Sequence, residues 1–409
     1  MKTYFFSILL TFAFSSMVGS AGPAIRPNDR IAIVGNTFAD QLRVHGYLET
    51  LLLQNSGSEA SISIRNLGWG GDMLTARDRP TNFPTEESTL TEHKTDVIVA
   101  CFGMGESFAG EEGLADFRSD LKAFVKTHHK KSYNGKSAVR LVIVSPIAYE
   151  DLGALTPNEE ARNRQLKSYT AAMREVSAEA GLPFVDLYEP SRYLMEEATG
   201  PKLTTNGIHL NEYGYWAVSR IFSDQLTATA EPWRLEIDFE SKAVEGRGVE
   251  ISALEIGESG MEFQVEENSP PTPAPPVEGP LQPQLEEARD RMMVRNLPAG
   301  SYRLVIDGTS VVEASHGEWA RGVAIDSSPA HAEAQELRKA INDKNQQFTY
   351  SWKALNQVHI VGERKTSPSG RALPAEIIEF SKLANQRDKA LRTKIELKTR
   401  TWQVLPVSE

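Results

Sequence analysis

The sequence predicts an α/β protein: a three-layer domain around a parallel five-stranded sheet, extended by a small β-rich module and a C-terminal helical segment. Three observations predict it. Between residues 30 and 226, short β-branched runs bounded by Gly or Pro alternate with longer stretches of helical spacing, the pattern of a parallel sheet covered on both faces by right-handed crossovers. Beyond residue 230 the runs become short and are separated by Gly, Asn and Asp turns. Near the C-terminus helical periodicity returns.

Met1-Lys2-Thr3 precedes an apolar run from Tyr4 to Val18 and then Gly19-Ser20-Ala21. A basic start, an apolar centre and small residues at the end form a secretory signal, with cleavage expected after Ala21. A membrane-spanning helix needs roughly 20 apolar residues, so a retained anchor is the less favoured reading. Residues 1–21 are therefore expected to direct export to the periplasm or the medium, with no stable membrane insertion afterwards.

The expected strands of residues 22–230 are Arg30–Gly35, Ile62–Gly68, Asp96–Gly103, Val139–Pro146 and Pro183–Tyr188. Helices are expected at Gln41–Gln54, Gly113–His128, Glu159–Ala180 and Asn211–Leu226. In such sheets ligands bind beyond the carboxyl ends of the strands, so the turns after the first three strands are where chemistry is sought. In residues 231–330, Trp233–Phe239, Val249–Leu254, Met261–Val265, Met292–Arg295, Tyr302–Ile306 and Thr309–Glu313 read as strands of an antiparallel module. Ser269–Pro283 carries seven of the 22 prolines and reads as an extended, polyproline-like connection or spacer. Ala332–Asn345 and Ala375–Lys394 return to helical spacing within a segment 331–409.

Lys plus Arg number 44 against 55 Asp plus Glu, a formal charge of −11, which argues against a nucleic-acid partner. With 40% apolar and 24% charged residues the chain can bury a core. Cys101 is the single cysteine, so no intramolecular disulfide forms, and no Cys/His cluster exists to hold zinc or an iron–sulfur centre. No cofactor is expected.

Four segments could carry chemistry. Gly35-Asn36-Thr37 ends the first strand and places a hydroxyl at a helix N-terminus; the same residues also suit simple capping. Gly68-Trp69-Gly70-Gly71-Asp72 packs three glycines into four positions, which lets a backbone N–H approach a ligand or merely forms a tight turn. Cys101-Phe102-Gly103-Met104-Gly105-Glu106-Ser107 is glycine-rich at the same edge, and Asn206-Gly207-Ile208-His209 lies in a loop before an amphipathic stretch, where a solvent histidine is the ordinary case.

In order, spacing and strand-end placement these segments resemble the blocks of the SGNH hydrolases, also called GDSL lipases and esterases, over residues 28–228. The resemblance implies the flavodoxin-like form of the three-layer fold and hydrolysis of carboxylic esters. It also implies the site: Thr37 at the nucleophile serine, Gly71 at the oxyanion glycine, His209 at the base, and the Thr37 N–H as a further oxyanion donor. Two positions depart from it. Gly105 stands where an oxyanion Asn is usual, and Asn206 where the Asp beside the base is usual. Gly-Asn-Thr and Asn-Gly-Ile-His-Leu also resemble a divergent branch of exported bacterial proteins, and the likeness extends to Lys344-Asn345 and to Phe348-Thr349-Tyr350-Ser351-Trp352.

These departures predict weak activity. Threonine's extra methyl stiffens χ1 and crowds attack, a neutral Asn206 cannot offset an imidazolium, and Gly105 lacks a side-chain donor. Other residues read as structural. Asp72 and Glu106 could pair as acid and base but suit sheet-edge structure better; Ser107 reads as a cap, Cys101 as packing, and His128-His129 as solvent-exposed. The expected function is ester hydrolysis, with a small molecule or acylated carbohydrate as substrate. The alternative is an inactive protein that kept the cleft to bind a glycan, using Trp69 and the β-rich module, or to act as a scaffold.

Overall fold

The structure, a computed structural model, describes residues 24–57, 62–79, 83–228, 231–257, 260–353, 366–391 and 395–407. The expected signal segment lies outside the described residues. Five β-branched runs, β1 (Arg30–Gly35), β2 (Ser63–Asn66), β3 (Val97–Cys101), β4 (Arg140–Val144) and β5 (Phe184–Val185), form one sheet in the order β2-β1-β3-β4-β5 with every pair parallel. Period-two side-chain alternation feeds both faces. Ile31, Ile33, Val97 and Val99 enter one apolar layer, and Ala32, Val34, Ile98 and Ala100 the other. Both layers are dry because helices cover each face: α1 (Thr37–His45), α2 (Tyr47–Ser56), α3 (Glu86–His93), α4 (Leu114–His128), α5 (Glu159–Ala180), α6 (Tyr188–Glu196) and α7 (Glu212–Leu226).

The expected helix over Gln41–Gln54 is two helices, because Gly46 adopts a left-handed conformation (φ 71°) that ends α1 and starts α2. Helices α3 and α6 were not expected. Pro190 reads as a breaker yet sits in the first turn of α6, where it is tolerated, and the fifth strand is correspondingly only two residues long.

The β-rich part comprises β6 (Arg234–Asp238), β7 (Val244–Arg247), β8 (Val249–Gly257), β9 (Gly260–Glu267), α8 (Pro283–Glu287), β10 (Arg291–Arg295), β11 (Ser301–Ile306), β12 (Thr309–Ser315), α9 (His316–Arg321) and β13 (Val323–Ala324). It is followed by α10 (Pro329–Trp352), α11 (Pro368–Ala390) and β14 (Arg400–Pro406). Its two sheets, β13-β10-β6-β7 and β12-β11-β14-β9-β8, enclose a core around Trp233, Phe263, Trp319 and Trp402. Two expectations need correction. The module is not purely antiparallel, since β6 and β10 pair parallel. Nor is the stretch after residue 331 helical throughout: β14 inserts between β11 and β9, burying Trp402 and Val404 on alternate positions of its run. The end of the chain thus completes the middle of that sheet.

The Pro-rich run is extended, and it is more than a spacer. Carbonyls that no ladder occupies accept bonds from the first domain: Gln54 Nε2 donates to Pro271 O (3.0 Å) and Trp216 Nε1 to Pro273 O (2.6 Å). Helix α10 is anchored more deeply. Lys344 is fully buried, its ammonium ion-paired with Glu49 of α2 and donating to Ile64 O of β2 at 3.0 Å. Asn345 Nδ2 donates to the other Glu49 oxygen at 3.0 Å. Among the described residues no helix is long and apolar enough to cross a membrane.

Candidate active site

The sheet order reverses direction between β1 and β3, and the carboxyl edge beside that reversal is the ligand crevice of open α/β sheets. Gly35 ends β1 there at φ 137°, so close to β3 that a Cβ would stand 2.1 Å from Cys101 O. Only glycine permits that approach. The Asn36 N–H then bonds Cys101 O (3.2 Å), the Asn36 side chain caps the Phe38 N–H (3.0 Å), and Thr37 becomes the first residue of α1. Its Oγ1 accepts a bond from the Gly71 N–H at 3.2 Å. The glycine-rich second turn therefore does present a backbone donor to this hydroxyl, with Gly71 at φ 85°.

His209 reaches the same place from the other end of the domain. Its loop is held by Glu150, a carboxylate 1% exposed that accepts from Leu203 N (3.0 Å), Thr204 N (2.7 Å) and Thr204 Oγ1 (2.6 Å). Thr204 Oγ1 in turn receives Gly207 N at 3.0 Å. Sequence reasoning missed Glu150; its only signal is the acidic pair Glu150-Asp151 after the β4 run. Thr37, Gly71, Gly105 and His209 all line one solvent-open cleft of about 690 Å³.

The histidine's partner has a defined orientation. Asn206 Oδ1 accepts from His209 N (2.9 Å) and Ile208 N (3.3 Å), which leaves the amide Nδ2 facing His209 Nδ1 at 2.9 Å. A ring nitrogen that accepts this bond is unprotonated, so the proton of the neutral imidazole sits on Nε2. That tautomer cannot take a proton from a hydroxyl through Nε2. Gly105 is likewise accounted for: a Cβ added there would stand 2.9 Å from Met73 Cγ and 3.1 Å from its Sδ. Met73 fills the space a longer residue at 105 would need, and no feature of the sequence signals this pairing.

The remaining candidates are structural. Asp72 makes a two-pronged ion pair with Arg79 (2.8 and 2.6 Å). Glu106 accepts from Leu74 N (2.9 Å) and Gly103 N (2.8 Å), tying the second and third turns together; burial pushes its carboxyl above the usual range, partly offset by those bonds. Ser107 Oγ donates to Met104 O (2.7 Å) and accepts from Arg162 (2.9 Å). Cys101 is buried, and that burial raises its thiol pKa. His128, expected in solvent, is 3% exposed, with the buried Tyr133 OH 2.9 Å from Nδ1 and the half-buried Glu86 carboxylate 3.3 Å from Nε2; His129 is exposed as expected. Trp69 is not an open platform: it meets Phe83 and Trp352 edge-on, with Arg79 (4.5 Å) and Lys353 (4.8 Å) over its ring. Among the described residues no group of three or more His, Cys, Asp or Glu could hold a metal ion.

Comparisons with known proteins bear on this geometry. No curated protein matches the chain. Among solved structures, a gut microbial diltiazem-metabolizing enzyme, BT4096, superposes at a TM-score of 0.69 with 15% identity, over 94% of this chain and 99% of that one. The fold is thus shared across the β-rich part as well. An acetylxylan esterase from Geobacillus stearothermophilus, Axe2, gives a TM-score of 0.38 at 16% identity over 50% of this chain and 96% of that one. The profile of the GDSL-like Lipase/Acylhydrolase family matches residues 32–217, a segment that contains every residue lining the cleft. In that match and in the parallel sheet that carries it, residues 32–217 are similar to the GDSL-like Lipase/Acylhydrolase family.

Proposed function

We propose that the protein is an exported carboxylic-ester hydrolase in which Thr37 is the nucleophile, His209 the base, and the N–H groups of Gly71 and Thr37 the oxyanion donors. The observation that carries this reading is the convergence of the Thr37 hydroxyl, the Gly71 N–H and the His209 imidazole on one cleft. Thr37 Oγ1 attacks the acyl carbon while His209 Nε2 takes its proton; the imidazolium returns that proton to the departing alkoxide, and water releases the acyl group by the same steps in reverse roles. The Thr37 N–H lies in the first helical turn, where N–H groups have no intrahelical acceptor and face developing negative charge.

The Asn206 amide facing Nδ1 opposes this cycle, because His209 must first move its proton from Nε2 to Nδ1. The rate is therefore set by the scarcity of the competent tautomer, and activity is low. The same observation favours the second reading, a cleft kept for binding alone. Purified protein assayed with aryl acetates decides between them. Thr37→Ala and His209→Ala are each expected to remove the activity above background, by at least about 10²-fold if the pair acts as nucleophile and base; equal rates in all three proteins would end the hydrolase reading.

Export is tested separately. Expressed with its own N-terminus in a Gram-negative host, the mature protein should begin at Gly22; cytoplasmic protein starting at Met1 would remove export from the proposal.

A further inference from the structure

Acylated carbohydrate is the substrate that the family likeness first suggests, and the walls of the cleft are poorly suited to it. Sugar hydroxyls are recognised by charged and amide side chains, and a site lacking them leaves those hydroxyls dehydrated and unpaired. Here the polar side chains of the lining beside the reactive groups are engaged within the protein: Asp72 is ion-paired with Arg79, Asn36 Oδ1 accepts from the Phe38 N–H, and Ser145 Oγ donates to Pro146 O and accepts from Leu187 N. The walls are instead Phe38, Met73, Met104, Pro146, Ile147 and Ile208.

At the rim stands Phe108, 59% exposed although it is a large apolar residue. Its position is fixed from behind. The guanidinium of Arg162 lies 3.7 Å from the ring centroid, and Arg162 is itself only 9% exposed, held by Ser107 O (3.2 Å) and Ser107 Oγ (2.9 Å). A buried cation stacked on one face of a ring, with the ring left bare to the cleft, makes a rigid aromatic surface that costs little entropy to use. The ring is not a packing residue, since most of its surface meets solvent. Its stacking on Arg162 serves to orient it.

We propose that the site takes esters carrying an aromatic group, which stacks on Phe108 between the methionine and isoleucine walls, in preference to acylated sugars. This rests on the hydrolase reading for its reaction, though not for its binding. The aromatic group belongs to either the alcohol or the acyl half of the ester, and matched probes separate the two. Benzyl acetate, cyclohexylmethyl acetate and methyl acetate vary the alcohol half with leaving groups of similar basicity; methyl phenylacetate against methyl acetate varies the acyl half; acetylated xylo-oligosaccharide is the carbohydrate arm. N-benzylacetamide and phenylacetamide, amides that resist cleavage, report binding by calorimetry whether or not the protein is an enzyme.

The expected result is a kcat/KM for benzyl acetate or methyl phenylacetate at least about tenfold above its methyl counterpart and above the acetylated oligosaccharide, with benzyl also ahead of cyclohexylmethyl. The amide bearing its ring on the preferred side should bind, and Phe108→Ala should weaken that binding about tenfold while Phe108→Trp retains it. Preference for the acetylated oligosaccharide, or amide affinities that ignore Phe108→Ala, would overturn the proposal while leaving ester hydrolysis intact. Phe108-dependent amide binding without cleavage of any ester would keep the proposal and overturn the hydrolase reading.

Discussion

Asn206→Asp will raise kcat on a simple aryl ester, by as much as about 10⁴-fold, the size of the loss when the reverse exchange is made in a serine protease. The reason is in the hydrogen bonds. Asn206 Oδ1 is committed to the N–H groups of Ile208 and His209, so the other arm of the side chain decides the imidazole tautomer. As an amide N–H it donates to Nδ1 and leaves the proton on Nε2. As a carboxylate oxygen of the same shape it accepts from Nδ1–H, frees Nε2 as the base, and stabilises the imidazolium formed during attack. Burst and steady-state kinetics of wild type and variant check this. An unchanged kcat in a variant with native circular dichroism would show that the tautomer does not limit the reaction.

Restoring an oxyanion asparagine is a different case. Gly105→Asn alone should give no gain, since its Cβ would press on Met73 Cγ at 2.9 Å. Paired with Met73→Ala it has room, and the donor it adds is worth about 10²-fold when correctly aimed. The two departures from the family pattern are thus unequal: one is a single-atom change in place, and the other is built into the packing of a neighbouring turn.

The largest stability effect is expected far from the cleft. Lys344→Met should cost about 3–5 kcal/mol, the usual penalty for leaving a buried charge without its partner. Glu49 would keep the bond from Asn345 and lose its cation, inside a layer where Lys344 is fully buried. Lys344→Met combined with Glu49→Gln removes both charges and keeps an acceptor for Asn345, so it should recover most of that loss. Thermal unfolding of the four proteins, read at the first transition, tests the cycle; a double variant as unstable as Lys344→Met would show that charge is not the issue. Because Trp352, eight residues on in α10, packs edge-on against Trp69 beside the glycine turn, the single variant should also lower kcat.

Much of the first domain was legible because its signals are local. Five β-branched runs with helical spacers can bury both sheet faces in only a few ways, and Gly35-Asn36-Thr37 ends its strand where the strand-order reversal falls. Thr37, Gly71 and His209 stand out in the sequence only through the resemblance of their segments to the family blocks, since each turn taken alone has an ordinary structural reading; the structure places all three on one cleft. What local pattern could not reveal depends on partners distant in the chain. His128 is buried with Nδ1 hydrogen-bonded to Tyr133 and Nε2 near the Glu86 carboxylate, Glu150 holds the His209 loop from 54 residues before Thr204, and β14 lies as a strand between β9 and β11.

The succession of the five parallel strands with α4, α5 and α7, and the residue types at the end of β1 and before α7, are determined by the sequence alone, since hydrophobic period and turn chemistry act over a few neighbours. Tertiary structure alone decided which way the Asn206 amide faces, that Met73 occupies the space beside Gly105, and that Arg162 lies behind Phe108. Each of those facts is a contact between groups that only folding brings within a few ångströms, where the direction of one hydrogen bond or the volume of one side chain determines the chemistry.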